Sequence, residues 1–155
     1  MEPNQFMQMA IDLAKENIKN GGGPFGAVIV KDGEIVATGV NRVTSNQDPT
    51  AHAEVQAIRA ACQKLNTFVL AGCEIYSSCE PCPMCLGAIY WSRMSKLYFA
   101  ASKDDAASVD FSDAFIYQEL DLEPSQRSLA TRVMMAKEGA QVFDLWREQT
   151  DKIEY

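Results

Sequence analysis

Apolar residues Phe6, Met9, Ala10, Leu13, Ala14 and Ile18 recur at intervals of three and four. That spacing predicts an amphipathic helix, capped by Asn4 and stopped by Asn20-Gly21-Gly22-Gly23-Pro24. The period then changes. Residues 25–30 and 35–40 are nearly continuous apolar runs on either side of Lys31-Asp32-Gly33-Glu34. An Asp-Gly pair between two such runs predicts a β-hairpin, and the lack of alternation predicts cover on both faces. Residues 41–48 read as a polar loop. Helical spacing returns at about 51–65, with Val55, Ile58, Ala61, Cys62 and Leu65 to one side. A third strand is expected at 73–77, a helix running to about Arg93, and a fourth strand at 96–101. The acidic stretch 104–123 reads as a loop with a short helix, 132–136 as a fifth strand, and 141–152 as a last helix with Val142, Leu145 and Trp146 on its apolar side.

Helices alternating with strands around a hairpin imply an α/β protein, a three-layer α/β/α arrangement over a mixed five-stranded sheet. At 155 residues and 47% apolar, the chain is long enough for one domain with a substantial core, spanning 1–155 without repeats or linkers. No stretch approaches the roughly 20 apolar residues of a membrane span, and Met1-Glu2-Pro3-Asn4 does not open a secretory signal. The net charge is −7 and the basic residues form no cluster. Binding to a nucleic-acid backbone usually needs a basic face, so a small-molecule substrate is the expectation. Five clustered cysteines suit thiolate metal ligands in a reducing compartment, hence the cytoplasm, rather than a disulfide framework.

The cysteines lie mainly in Ser78-Cys79-Glu80-Pro81-Cys82-Pro83-Met84-Cys85. Pro83 fits a first helical position, which makes Cys82 the expected N-cap and puts Cys85 in the first turn, on the same side. The positive end of the helix favours thiolates there. Alone, a Cys-x-x-Cys is equally readable as a redox pair. Thirty positions earlier, however, Thr50-Ala51-His52-Ala53-Glu54-Val55 holds the chain's one histidine, two residues before a glutamate. His52, Cys82 and Cys85 are three ligands, and a catalytic zinc keeps its fourth position for water. Zinc brings the pKa of that water toward neutrality, giving a hydroxide nucleophile, with Glu54 as the proton carrier. One structural alternative stays open: Cys79 as a fourth ligand would close the site as Cys₃His and leave a stapled, inert module. Its other reading is a small packing residue, as for Cys62 and Cys73.

The combination His-x-Glu with Pro-Cys-x-x-Cys resembles the signature of the zinc-dependent nucleobase deaminases. Over longer stretches, Asp48-Pro49-Thr50-Ala51-His52-Ala53-Glu54-Val55 and Pro81-Cys82-Pro83-Met84-Cys85-Leu86-Gly87-Ala88-Ile89-Tyr90-Trp91 look like the purine branch of the cytidine deaminase-like superfamily. Gly22-Gly23-Pro24-Phe25-Gly26-Ala27-Val28-Ile29-Val30, Phe111-Ser112-Asp113-Ala114-Phe115-Ile116-Tyr117 and the final Glu154-Tyr155 resemble the bacterial guanine deaminases within it. The resemblance implies conversion of guanine and water to xanthine and ammonia by attack at C2, with one Zn²⁺ per subunit. It also implies that Asn41 hydrogen-bonds the purine edge, that Phe25 stacks on the base and Trp91 lines the pocket, and that Asp113 meets the amino group or helps relay protons. Tyr155 would then belong to a lid, contributed by a C-terminal segment (about 130–155) exchanged within a homodimer. A tRNA adenosine deaminase shares the two core motifs. It calls for positive charge near the C-terminal helix, where Glu148, Asp151 and Glu154 outnumber Arg147 and Lys152.

Overall fold

The first helix is capped two residues before Asn4. Glu2 is the N-cap, its amide donates to Gln5 Oε1 at 2.6 Å, and Pro3 takes the first helical position, where it loses no hydrogen bond. The computed structural model describes all 155 residues, in two compact units, Met1–Asp113 and Ala114–Tyr155.

In the first unit, α1 (Pro3–Lys19) leads to β1 (Gly26–Lys31) and β2 (Glu34–Val40). The turn between them places Asp32 and Gly33 at φ of 50° and 77°, matching the twist of the paired strands. A short α2 (Val43–Asn46) lies within the expected polar loop. Then follow α3 (Ala53–Leu65), β3 (Cys73–Cys79), α4 (Pro83–Trp91), β4 (Lys96–Ala101) and α5 (Lys103–Ala107). The sheet order is β2-β1-β3-β4. β1 runs antiparallel to both neighbours, while β3 and β4 are parallel and joined through α4.

The sheet has four strands rather than the expected five. Residues 132–135 form no ladder; Met135, in the left-handed region at φ 52°, instead caps a helix that starts at Ala136. A short apolar run is a strand only where an edge is available to pair with it.

Three layers are present. On one face, Phe6 and Ala10 of α1 pack with Val28, Val30 and Tyr76. On the other, Ala53, Ala57 and Ala61 of α3 pack with Ala27, Ile29 and Ile75, together with Ile89 of α4. This alternation buries the first five residues of β1 completely, whereas β2 at the edge is covered only in part. Small residues let α3 come close: a Cβ on Gly39 would collide with the backbone of Ala53 and Ala57. The contact seats the first turn of α3 firmly on β2 and so fixes what lies at its N-terminus.

The second unit contains α6 (Ala114–Leu120), a 3₁₀ turn (Pro124–Gln126) and α7 (Ala136–Glu148). Arg127 Nε donates to the Glu119 carbonyl at 3.0 Å, and Ser128 donates to the Glu119 carboxylate through its amide and its hydroxyl. Apolar side chains here are exposed, including Leu129, Val133 and Met134, and on α7 Val142, Phe143 and Leu145. No helix of the chain is long and apolar enough to cross a membrane.

Candidate active site

Two helix N-termini meet at the end of the sheet. His52 is the N-cap of α3 and Cys82 the N-cap of α4; both are extended at ψ of 157° and 169°, which turns their side chains off the helix ends. Pro83 follows Cys82 at the first helical position, and Cys85 sits in the same first turn, fully buried. His52 therefore lies just before α3 rather than inside its first turn.

His52 Nδ1 is 3.5 Å from Cys82 Sγ and 3.5 Å from Cys85 Sγ, and the three donor atoms lie within 4.8 Å of one another. These distances fit a cation. Zinc–nitrogen and zinc–sulfur bonds of about 2.0–2.1 and 2.3 Å, at a tetrahedral angle, set N···S at about 3.6 Å. The donor set, one imidazole and two thiolates, is also chemically suited to zinc, and as three ligands it is an open rather than a closed site.

The electrostatics agree. Cys82 is pushed down to about 4, chiefly because the Cys85 thiol donates to it, with the His52 ring adding to the effect. Cys85 as the donor is pushed up by the same bond and by burial. His52 is raised mainly by its contact with Cys82. The two sulfurs and the imidazole thus share protons that a cation would displace.

Glu54 occupies the first turn of α3 and is only 6% exposed. Burial raises its pKa, and its carboxyl group lies beside the Cys85 thiol. A buried carboxyl held near these three donors is chemically suited to take and return a proton. Cys79 ends β3 and its thiol points elsewhere, 3.6 Å from the Ser102 carbonyl; burial pushes it up to about 11. It is not among the converging donors.

Around the donors, Asn41 follows the last residue of β2. Its Oδ1 accepts from the Val43 amide at 3.2 Å, and its own amide donates to the Phe25 carbonyl at 3.3 Å. Phe25, half-buried before β1, meets the ring of Phe111 edge-on at 5.1 Å. Asp113 is half-buried and its pKa is raised by burial first, with the nearby negative charge of Cys82 contributing. Trp91 is placed differently. It ends α4, six residues or about 9 Å along the axis beyond Cys85, and is 64% exposed under the Arg93 guanidinium. Tyr155 lies in the second unit, at the end of the chain and 76% exposed.

Three contributors escaped the sequence reading. Ser78 Oγ accepts from the Gly26 amide at 3.0 Å, continuing the β1–β3 pairing toward the site. Glu80 accepts from the Lys103 amide at 3.2 Å, tying the cysteine turn to α5. Asn17 is a buried amide on the packed side of α1, at helical spacing from Phe6, Ala10 and Ala14. A polar residue on an apolar stripe was the available signal.

Comparison with known proteins matches residues 1–101 to the cytidine and deoxycytidylate deaminase zinc-binding region. The chain is 49% identical to a guanine deaminase of Bacillus subtilis, over 100% of both chains. An X-ray structure of guanine deaminase from Bacillus subtilis superposes with a TM-score of 0.97 at 49% identity, covering 100% of this chain and 99% of that one. A tRNA-specific adenosine deaminase of Aquifex aeolicus is 46% identical, but over 65% of this chain and 67% of its own.

Proposed function

The chain belongs to the zinc-binding cytidine and deoxycytidylate deaminase family and within it to the guanine deaminases, and from that premise we propose how its residues divide the work. The protein is a hydrolytic deaminase that converts guanine and water to xanthine and ammonia. The observation that carries this reading is the convergence of His52, Cys82 and Cys85 beside the buried Glu54, in a chain alike from end to end to a guanine deaminase. Xanthine and ammonia formed one for one from guanine test it.

His52, Cys82 and Cys85 would hold one zinc ion, which when bound would supply the Lewis acidity that makes water a nucleophile near neutral pH. Glu54 takes a proton from the attacking water and passes it to the purine ring nitrogen beside C2. It then takes the remaining proton from the hydroxyl now on C2 and delivers it to the amine as the C2–N bond breaks and the carbonyl forms, so the carboxylate ends as it began. Asn41 orients the base. Its Oδ1 is engaged by the Val43 amide, so Nδ2 is the group that donates to an acceptor on the purine edge. Phe25, steadied by Phe111, stacks on the ring, and Asp113 accepts from the amino group. A purine fits this inventory of one flat aromatic face and a few polar groups. An RNA backbone suits it less: the chain carries a net charge of −7 and its basic residues form no cluster in the sequence.

The working assembly is a homodimer in which residues from about 130 onward are exchanged. The exposure of Leu129, Val133, Met134, Val142, Phe143 and Leu145 supports it, since so many large apolar groups together call for cover by another chain. Tyr155 then closes the partner's pocket as a lid. Trp91, remote from the ligands of its own chain, enters a pocket only through the same assembly. Residence in the cytoplasm suits five unpaired thiols.

Deleting Glu154 and Tyr155 is expected to lower kcat/KM for guanine at least tenfold while zinc content stays at one per chain. An unchanged rate in steady-state assays would remove the tail from the site.

A further inference from the structure

Asn17 is 6% exposed, and its side chain joins two loops. Its Nδ2 donates to the Gly23 carbonyl at 2.8 Å and to the Asn41 carbonyl at 2.9 Å. Both amide hydrogens are spent, one on each loop. The Gly23 carbonyl also accepts from the Phe25 amide at 2.9 Å, and the Asn41 amide donates to the Phe25 carbonyl. One residue further on, the Arg42 amide donates to the Ala51 carbonyl at 2.9 Å, next to His52. The loop is pressed onto this amide: the Gly22 amide donates to the Asn17 carbonyl, and a Cβ on Gly22 would overlap the Asn17 side chain.

We infer that Asn17 is a positioning residue for base recognition, an internal clamp that fixes Asn41 and Phe25 relative to each other. The inference rests on the reading of Asn41 and Phe25 as the groups that bind guanine. A buried amide elsewhere would merely satisfy the end of its own helix. This one bridges two segments 18 residues apart, Gly23 and Asn41, that carry or adjoin both proposed base contacts and flank the hairpin at its open end. Each contact is set by backbone geometry, because a stacked ring and a single amide tolerate little misplacement. His52, Cys82, Cys85 and Glu54 make no bond to Asn17, so the clamp acts on binding of the base rather than on proton transfer.

The test is a double-mutant cycle on the zinc-loaded enzyme with guanine, using Asn17→Ala, Asn41→Ala and the pair. Asn17→Ala is expected to raise KM about tenfold, with kcat within threefold and full zinc content. In the Asn41→Ala background the same change is expected to add less than threefold. An Asn17→Ala enzyme with unchanged KM, or one whose effect multiplies in full with that of Asn41→Ala, would overturn the clamp. Should Asn41→Ala alone leave KM untouched, the reading of Asn41 fails, and the clamp with it. If Asn17→Ala does not fold, Asn17→Asp keeps the shape and removes both donors, and the same KM and kcat comparison decides.

Discussion

Replacing Glu54 by Gln is expected to lower kcat for guanine by a factor on the order of 10³, with zinc bound and the fold intact. The size follows from the work assigned to the carboxylate. General acid–base catalysis by one positioned group is worth about 10²–10⁴, and this group serves twice in a cycle, on the water and on the leaving amine. Gln has the same length and shape but can neither take up nor release a proton near neutral pH. It also removes a buried ionisable group: Glu54 is 6% exposed, and burial already raises its pKa, so the neutral amide costs the fold little. Stability and metal content should therefore hold while turnover collapses. The check is single-turnover xanthine formation beside zinc analysis and a melting curve. A rate within tenfold of the parent would remove Glu54 from proton transfer.

The second large effect concerns the ligand set. His52→Ala is expected to strip zinc to well below one-tenth of an equivalent after dialysis and to abolish measurable turnover. It deletes one of only three donors, and the two remaining thiolates lose the partner that lies 3.5 Å from each. Cys79→Ser is the informative contrast. Its thiol stands against the Ser102 carbonyl, outside the converging donors, so this variant should retain a full equivalent of zinc and most of the activity. Metal analysis of both variants distinguishes an open three-ligand site from a closed Cys₃His site. Zinc lost equally from the two would revive the closed, structural reading.

Much of the candidate metal site is legible in the sequence, because the chemistry is written locally. Pro83 announces a helix start, which makes Cys82 its cap and places Cys85 one turn in. The convergence of α3 and α4 was not legible from periodicity. It depends on Gly39 letting α3 settle on β2 and on the parallel β3–α4–β4 crossover. The expected fifth strand at 132–136 failed for a related reason. Val133 and Met134 have the composition of a strand, but pairing is a tertiary property, and Met135 instead opens α7. Gly139, a poor helix former, obscured the first turn of that helix. The Asn4 cap was displaced because Glu2 and Gln5 close a capping box around Pro3. Asn17 went unassigned since a single polar residue on an apolar stripe identifies an anomaly without naming its partners. Those partners, Gly23 and Asn41, are 6 and 24 positions away.

This site removes the amine from free guanine. The most direct measurement is ammonia release by the zinc-loaded protein, with guanine, adenine, cytosine, their nucleosides and a tRNA bearing a wobble adenosine assayed side by side. Release from guanine, matched by xanthine and at least 10²-fold faster than from any other substrate, is the predicted result. Inosine formed in the tRNA while guanine stays intact would contradict it.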